Sequence, residues 1–127
     1  MALALFAGIP VSDYPRAIAW YERFLGEPAT FEAHGTESVW ELAGDRSVYV
    51  VLKPEDAGHG LVTIFLDDVD DLDAFEAFVE AVTSRGIEPD KRETYGNGVR
   101  KTTYLDPDGN EFGVGGPPVG TNEPGAQ

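Results

Sequence analysis

The sequence contains no cysteine, few basic residues and no long hydrophobic run. Without cysteine the chain cannot form a disulfide, bind a metal through thiolates or use a cysteine nucleophile. Nine Lys and Arg against 23 Asp and Glu give a net charge of −14, so nucleic acids and anionic membrane surfaces would repel it. No apolar run approaches the roughly 18–20 residues that a membrane-spanning helix needs. These absences predict a cytoplasmic protein with neither nucleic acid nor membrane as partner.

The apolar residues that are present suffice for one folded domain. The 127 residues are 42% hydrophobic and 11% aromatic, and domains usually contain roughly 100–150 residues. We predict a single domain over residues 1–116, made of one module at about 3–55 and a second at about 59–116. Residues 117–127 are rich in Gly and Pro, and we predict a disordered tail there.

The first module reads as a strand, a helix and three further strands. Leu3–Val11 is an apolar run that predicts a strand. Ser12 or Asp13 can cap a helix whose apolar residues recur with the 3.6-residue period, and Gly26 is its expected end. Three short segments of strand character follow, at Pro28–Ala33, Ser38–Leu42 and Ser47–Leu52.

After a predicted linker at Lys53–Gly60, the second module repeats this order. It begins with a strand at Leu61–Leu66 and a helix that Asp70 or Asp71 caps and Gly86 ends. Its remaining predicted strands are Ile87–Thr94, Val99–Leu105 and Glu111–Val114. Phe6 precedes Asp13 by the same interval as Leu61 precedes Asp68. The pattern predicts a βαβββ unit that occurs twice.

Three motifs, taken in their order along the chain, resemble the motifs of a known family. They are Val11-Ser12-Asp13 with Ala17–Tyr21 and Phe24-Leu25-Gly26, then Leu66–Asp70, then Tyr104–Asn110. They resemble the vicinal oxygen chelate (VOC) superfamily, which includes glyoxalase I, bleomycin resistance proteins and extradiol dioxygenases. The resemblance covers residues 3 to about 116. It implies an α+β fold, the glyoxalase/bleomycin resistance fold, in which two βαβββ modules form a cup-shaped, curled mixed sheet. It also implies a homodimer.

The resemblance implies positions for a divalent metal, and these positions lack ligands here. The first-strand ligand falls on Phe6, its equivalent in the second module on Leu61, and the closing carboxylate on Gly113. The fourth position lies within Ser47–Leu52, which contains no His, Asp, Glu or Gln. We therefore predict no metal and no cofactor. A site that uses both histidines, His34 and His59, is the less favoured alternative, and both are interpreted as exposed loop residues.

Apolar residues at the ligand positions predict an apolar cup for a small organic molecule. The candidate lining residues are Phe6, Trp40, Tyr49, Leu61, Tyr95, Arg100, Tyr104 and Gly113. Several of these aromatic residues have a second interpretation as core residues between sheet and helix. Arg100 and Lys101 are adjacent on a predicted strand, so only one of them can face the cup. An inward arginine could bind a carboxylate or phosphate through two hydrogen bonds. The alternative is that both cations pair with acidic residues on the protein's own surface.

The candidate catalytic residues are Glu111 and His59. Glu111 shares the strand face of Gly113 and could act as a base, or it could lie at the sheet margin in water. Our leading hypothesis is a binding protein without metal, for which bleomycin resistance proteins are the precedent. The alternatives are a VOC-type enzyme (lyase, isomerase or dioxygenase) with a displaced metal or a carboxylate base, and a dimeric interaction protein.

Charge is distributed unevenly along the second module. Its acidic run is interpreted as a solvated helix start, because it lacks the spacing of a calcium loop. The run comprises Asp67, Asp68, Asp70, Asp71 and Asp73. Residues 85–101, by contrast, carry five cations against three acids. This locally positive stretch leaves room for a small anionic ligand in an otherwise acidic protein.

Overall fold

Alternating apolar strands and capped amphipathic helices form the same unit twice in the computed structural model, which describes residues 1–119. The first unit comprises β1 (Leu5–Val11), α1 (Tyr14–Leu25), β2 (Phe31–His34), β3 (Glu37–Ala43) and β4 (Arg46–Leu52). The second comprises β5 (Leu61–Phe65), α2 (Ala74–Ser84), β6 (Lys91–Thr94), β7 (Arg100–Leu105) and β8 (Glu111–Gly116). A short 3-10 helix at Pro54–Asp56 lies in the connection. Residues 120–127 of the predicted tail lie outside the described residues.

Each unit folds into a mixed four-stranded sheet. The strand orders are β1-β4-β3-β2 and β5-β8-β7-β6. The first strand of each sheet pairs in parallel with the last, and the other neighbours are antiparallel. The predicted α+β fold of two βαβββ modules is therefore confirmed. No helix within residues 1–119 is long and apolar enough to cross a membrane.

Both sheets bury one face against the helices in a single shared core. This core includes Ile9, Val11, Tyr21, Phe24, Trp40, Val48, Val50, Phe75, Val79, Val82, Tyr104, Phe112 and Val114. Because strand side chains alternate, the pairing registers place a second set on the opposite faces, here called the open faces. The open faces carry Phe6, Gly8, Val39, Ser47 and Tyr49 in the first sheet and Leu61, Thr63, Phe65, Lys101, Thr103, Glu111 and Gly113 in the second.

The first helix begins and ends where the sequence predicts. Asp13 accepts a hydrogen bond from the Arg16 backbone N–H at 3.2 Å, so it is the N-cap. Gly26 adopts a left-handed φ of 82° at the other end, a conformation that glycine adopts without a steric penalty.

The second helix begins later than predicted, because Asp73 caps it instead of Asp70 or Asp71. The Asp73 carboxylate accepts from the Glu76 N–H at 3.1 Å. The residues before it form an additional turn closed by a bridge between Val69 and Leu72. The equal spacing of Phe6–Asp13 and Leu61–Asp68 therefore does not extend to the helix caps.

Arg100 holds the Asp73 cap in place. Its guanidinium donates to both Asp73 oxygens, at 2.9 and 3.3 Å, and to the Pro117 carbonyl at 2.8 Å. The guanidinium carbon lies 4.7 Å from the centre of the buried Phe75 ring. Arg100 is itself only 6% exposed. The start of α2 is thus tied to β7 by a largely buried cation.

Asp73→Asn is expected to destabilise the protein at neutral pH but not at strongly acidic pH. Hydrogen bonding from Arg100 holds the pKa of Asp73 below its ordinary value of 3.8. The pair therefore contributes stability above this value, and the contribution disappears as pH falls through the lowered pKa. Asparagine still caps the helix, so we expect a loss of about 1 kcal/mol at pH 7, since the pair is partly exposed to water.

Urea unfolding of both proteins between pH 7 and pH 2 measures this difference. The matched control is Asp71→Asn, an exposed acid of the preceding turn. A gap between Asp73→Asn and the unsubstituted protein that is equally large at pH 2 would show that the ion pair is not its cause.

Candidate functional site

The two modules meet at β1 and β5, and a buried polar cluster joins one end of this seam. The Asn110 side chain donates to the Pro10 carbonyl of β1 at 2.8 Å and accepts from the N–H groups of Gly58 and Gly60 at 3.0 and 2.6 Å. Tyr21 of α1 donates to Asp106 at 2.8 Å. Burial and the Asp106 carboxylate raise the pKa of Tyr21, so its hydroxyl stays protonated. We call Tyr21, Asp106 and Asn110 the seam latch.

The other end of the seam contains an apolar cavity of about 340 Å³. The strand registers explain why no latch forms there. In the second sheet, Asn110 comes directly before the strand partner of Leu61. In the first sheet, Arg46 comes directly before the strand partner of Phe6. Arg46 therefore occupies the place that Asn110 has in the second module, and Leu42 occupies that of Asp106. Both residues line the cavity.

The cavity borders the open faces and is mainly apolar. Its walls include Leu5, Ala7, Val62 and Ile64, together with the open-face residues Thr63 and Phe65. A cavity of this size is at the lower end of the range for small-molecule sites, which is roughly 300–1,000 Å³. The seam therefore offers a concave, apolar surface next to the second open face.

Three predicted cup residues lie on the helix side instead. Trp40 is fully buried and donates to the Glu27 carbonyl at 3.0 Å. Tyr104 is also buried, with its ring 5.0 Å from that of Phe24. Arg100 binds Asp73, as described above. Strand alternation places all three side chains on the helix side of their sheets. Their expected place in the cup is corrected accordingly. Lys101, the neighbour of Arg100, lies on the open face.

Four further candidates are exposed. Glu111 pairs with Leu61 and lies on the open face. His59 lies in the connection between the modules, and His34 ends β2, both with exposed side chains. Tyr95 lies in the β6–β7 hairpin, 44% exposed. A catalytic role for Glu111 or His59 stays a prediction.

Comparison with known proteins identifies the family. A model of the Glyoxalase/Bleomycin resistance protein/Dioxygenase superfamily matches residues 3–114. The chain belongs to this superfamily. Its sequence matches no curated protein.

Several solved structures share the fold of this superfamily member. A glyoxalase/bleomycin resistance protein from Catenulispora acidiphila is 46% identical, with a TM-score of 0.84, over 92% of this chain and 100% of that one. Lactoylglutathione lyase from Agrobacterium tumefaciens is 18% identical, with a TM-score of 0.68, over 91% and 94% of the two chains. A bleomycin-binding protein in complex with bleomycin is 20% identical, with a TM-score of 0.68, over 92% and 99%.

The structure assigns the fourth of the superfamily's ligand positions, which the sequence leaves open. Gly113 pairs with Thr63, two residues after Leu61. In the first sheet, Gly8 lies two residues after Phe6 and pairs with Tyr49. Tyr49 is therefore the equivalent of Gly113 and occupies the fourth position. The Tyr49 ring packs over Gly8, where a Cβ atom would lie only 2.6 Å from the Tyr49 hydroxyl oxygen.

The residues at these four positions do not fit the superfamily's metal. Phe6, Leu61 and Gly113 offer no coordinating atom, and Tyr49 offers only a phenol. Within residues 1–119, no group of three or more His, Cys, Asp or Glu side chains is placed to hold a metal ion. Phe6 and Leu61 instead leave 53% and 70% of their surface exposed on the open faces. These two positions therefore present apolar surface on the open faces.

Proposed function

We propose that this superfamily member binds a small organic molecule in an apolar cup without a metal ion, and that it does so in the cytoplasm. The observation that carries the proposal is the set of residues at the four ligand positions. An apolar phenyl and an isobutyl group lie where chelating side chains would be needed, and both are exposed on the open faces. An apolar molecule that covers this surface binds favourably, because apolar area is removed from water.

A second copy of the chain is the proposed means of closing the cup. Both helix-side faces belong to one core, so the two open faces lie on the outside of a single chain. They bear exposed large apolar side chains, Phe6, Phe31, Leu61, Phe65 and Leu105. Apolar surface of this kind is typical of interaction sites. A homodimer would cover it and enclose a ligand between two sheets.

The bleomycin-binding protein supports the proposal as a relative in fold. That protein is solved in complex with an organic antibiotic. The cavity next to Thr63 and Phe65 supplies concave apolar surface in this chain. Together these observations favour binding over catalysis.

Elemental analysis and a ligand screen test the proposed function. Protein purified without chelator is expected to contain well under one divalent metal per chain, because Phe6, Leu61, Gly113 and Tyr49 offer no set of ligands for it at the four positions. A thermal-shift screen with aromatic antibiotics and metabolites should then find compounds that raise Tm. Leu61→Asp places a charge on the open face and is expected to weaken such binding at least tenfold, equivalent to about 1.4 kcal/mol.

Leu72→Asp is the matched control, because Leu72 is similarly exposed but lies in the turn before α2. One firmly bound metal per chain, or equal ligand binding in Leu61→Asp, would contradict the proposal. Turnover of a bound compound that disappears in Glu111→Gln would support the enzymatic alternative instead.

A further inference from the structure

Lys101 is a cation on the second open face without an acidic partner within residues 1–119. The registers place it opposite Gly115 on β8 and Glu93 on β6. Glu93 is bonded to Lys91 instead, at 3.8 Å, and Lys101 takes part in none of the ion pairs of the described chain. Of the three lysines of the chain, Lys53 and Lys91 form ion pairs, and Lys101 does not.

The Lys101 side chain lies over Gly113. A Cβ atom at Gly113 would lie 2.8 Å from Cε of Lys101 and 3.0 Å from Oγ1 of Thr63. Real Cβ contacts are essentially never shorter than 3.0 Å, so any other residue at position 113 would displace the lysine. Glycine here therefore allows the end of Lys101 to lie beside the Thr63 hydroxyl.

Apolar surface adjoins these two polar groups. Leu61 and Phe65 precede and follow Thr63 on the same face of β5, and both are more than half exposed. Thr63 and Phe65 also line the seam cavity. An ammonium group and a hydroxyl beside apolar walls recognise a molecule with one anionic group and an apolar body.

We propose that Lys101 and Thr63 form an anion-binding position above Gly113 and that the cup selects small apolar carboxylates. The carboxylate accepts hydrogen bonds from the Lys101 ammonium and the Thr63 hydroxyl, while the apolar body covers Leu61 and Phe65. One ammonium matches one negative charge, and the net charge of −14 disfavours a ligand with more. The inference rests on the proposed function, because the apolar body needs the cup.

Two probes of equal shape test the charge preference, 2-naphthoate and its neutral amide, 2-naphthamide. Calorimetric titration should show that the protein binds naphthoate at least tenfold more tightly than naphthamide. Lys101→Met keeps the apolar stem and is expected to remove the preference while it retains naphthamide binding. Lys101→Arg should restore the preference, and Gly113→Ala should reduce it by displacing Lys101. Lys53→Met is the matched control, since Lys53 pairs with Asp56 outside the open faces.

The outcomes separate this inference from the proposed function. If both probes bind equally, or if Lys101→Met keeps the preference for naphthoate, the anion-binding position is refuted and the apolar cup stands. If neither probe binds at millimolar concentration and the thermal-shift screen also finds no ligand, the cup itself is refuted. Unchanged circular dichroism and Tm of the Lys101 variants in the absence of probe would exclude misfolding as the cause.

Discussion

Asn110→Ala is expected to lower the free energy of unfolding by about 3 kcal/mol, the upper end of the range for leaving buried polar groups unsatisfied. The Asn110 side chain is 1% exposed and bonds β1, the Gly58–Gly60 connection and Asp106. Alanine leaves the Pro10 carbonyl and the two glycine N–H groups, all part-buried, without their partner. Equilibrium denaturation in urea measures the loss.

Two further variants show whether the seam latch is the cause. Asn97→Ala removes an asparagine whose side chain accepts one exposed backbone hydrogen bond in the β6–β7 hairpin, so we expect a loss below about 1 kcal/mol. Asn110→Asp keeps the acceptor for Gly58 and Gly60 but loses the donors and adds a carboxylate beside Asp106. It should also destabilise the protein, and more so at neutral than at acidic pH. An Asn110→Ala protein as stable as Asn97→Ala would refute the latch.

Much of the fold is predictable because its signals are local. The capping oxygen of Asp13, the left-handed Gly26 and the apolar period between them mark the two ends of α1 in the local sequence. The start of α2 is different, because several aspartates in a row can each serve as an N-cap. Arg100, which is 27 residues away, bonds to Asp73, and this tertiary contact is not visible in the sequence.

The open faces are predictable only in part, for a related reason. Phe6, Leu61 and Gly113 are positions that the family resemblance implies, and the strand registers place them on these faces. For Trp40 and Tyr104 the aromatic residue type fits both the cup and the core. The side of the sheet on which each side chain lies therefore decides between the two. That side depends on the pairing of Trp40 with Val48 and of Tyr104 with Phe112. Pairing partners distant in sequence also decide that Lys101 and not Arg100 faces outward.

The seam latch and the cavity lie at equivalent places in the two modules and differ because the residues there differ. The strand registers make Asn110 and Arg46 equivalent, yet only Asn110 can donate to one strand and accept from another connection within hydrogen-bonding reach. Leu42, at the position equivalent to Asp106, has no acceptor like the one that Asp106 offers to Tyr21. One end of the seam is therefore fastened by polar contacts, and the other is left as apolar surface.

Phe24→Ala is expected to cost about 4 kcal/mol, as large-to-small changes of buried phenylalanine usually do. Phe24 belongs to α1 of the first module and is fully buried. Its ring centre lies 5.0 Å from that of Tyr104 and 4.9 Å from that of Phe112, both in the second sheet, and 5.6 Å from that of Phe78 in α2. The cavity left by alanine would therefore open between the modules and destabilise both.

Hydrogen exchange distinguishes this shared core from two independent modules. If the core is shared, amides of β8 should exchange faster in Phe24→Ala by the same factor as amides of β4, and unfolding in urea should remain a single transition. Phe31→Ala is the control, because Phe31 is 46% exposed on the open face, and we expect a loss below about 1 kcal/mol there. Unchanged exchange in β8 would mean that the modules unfold separately.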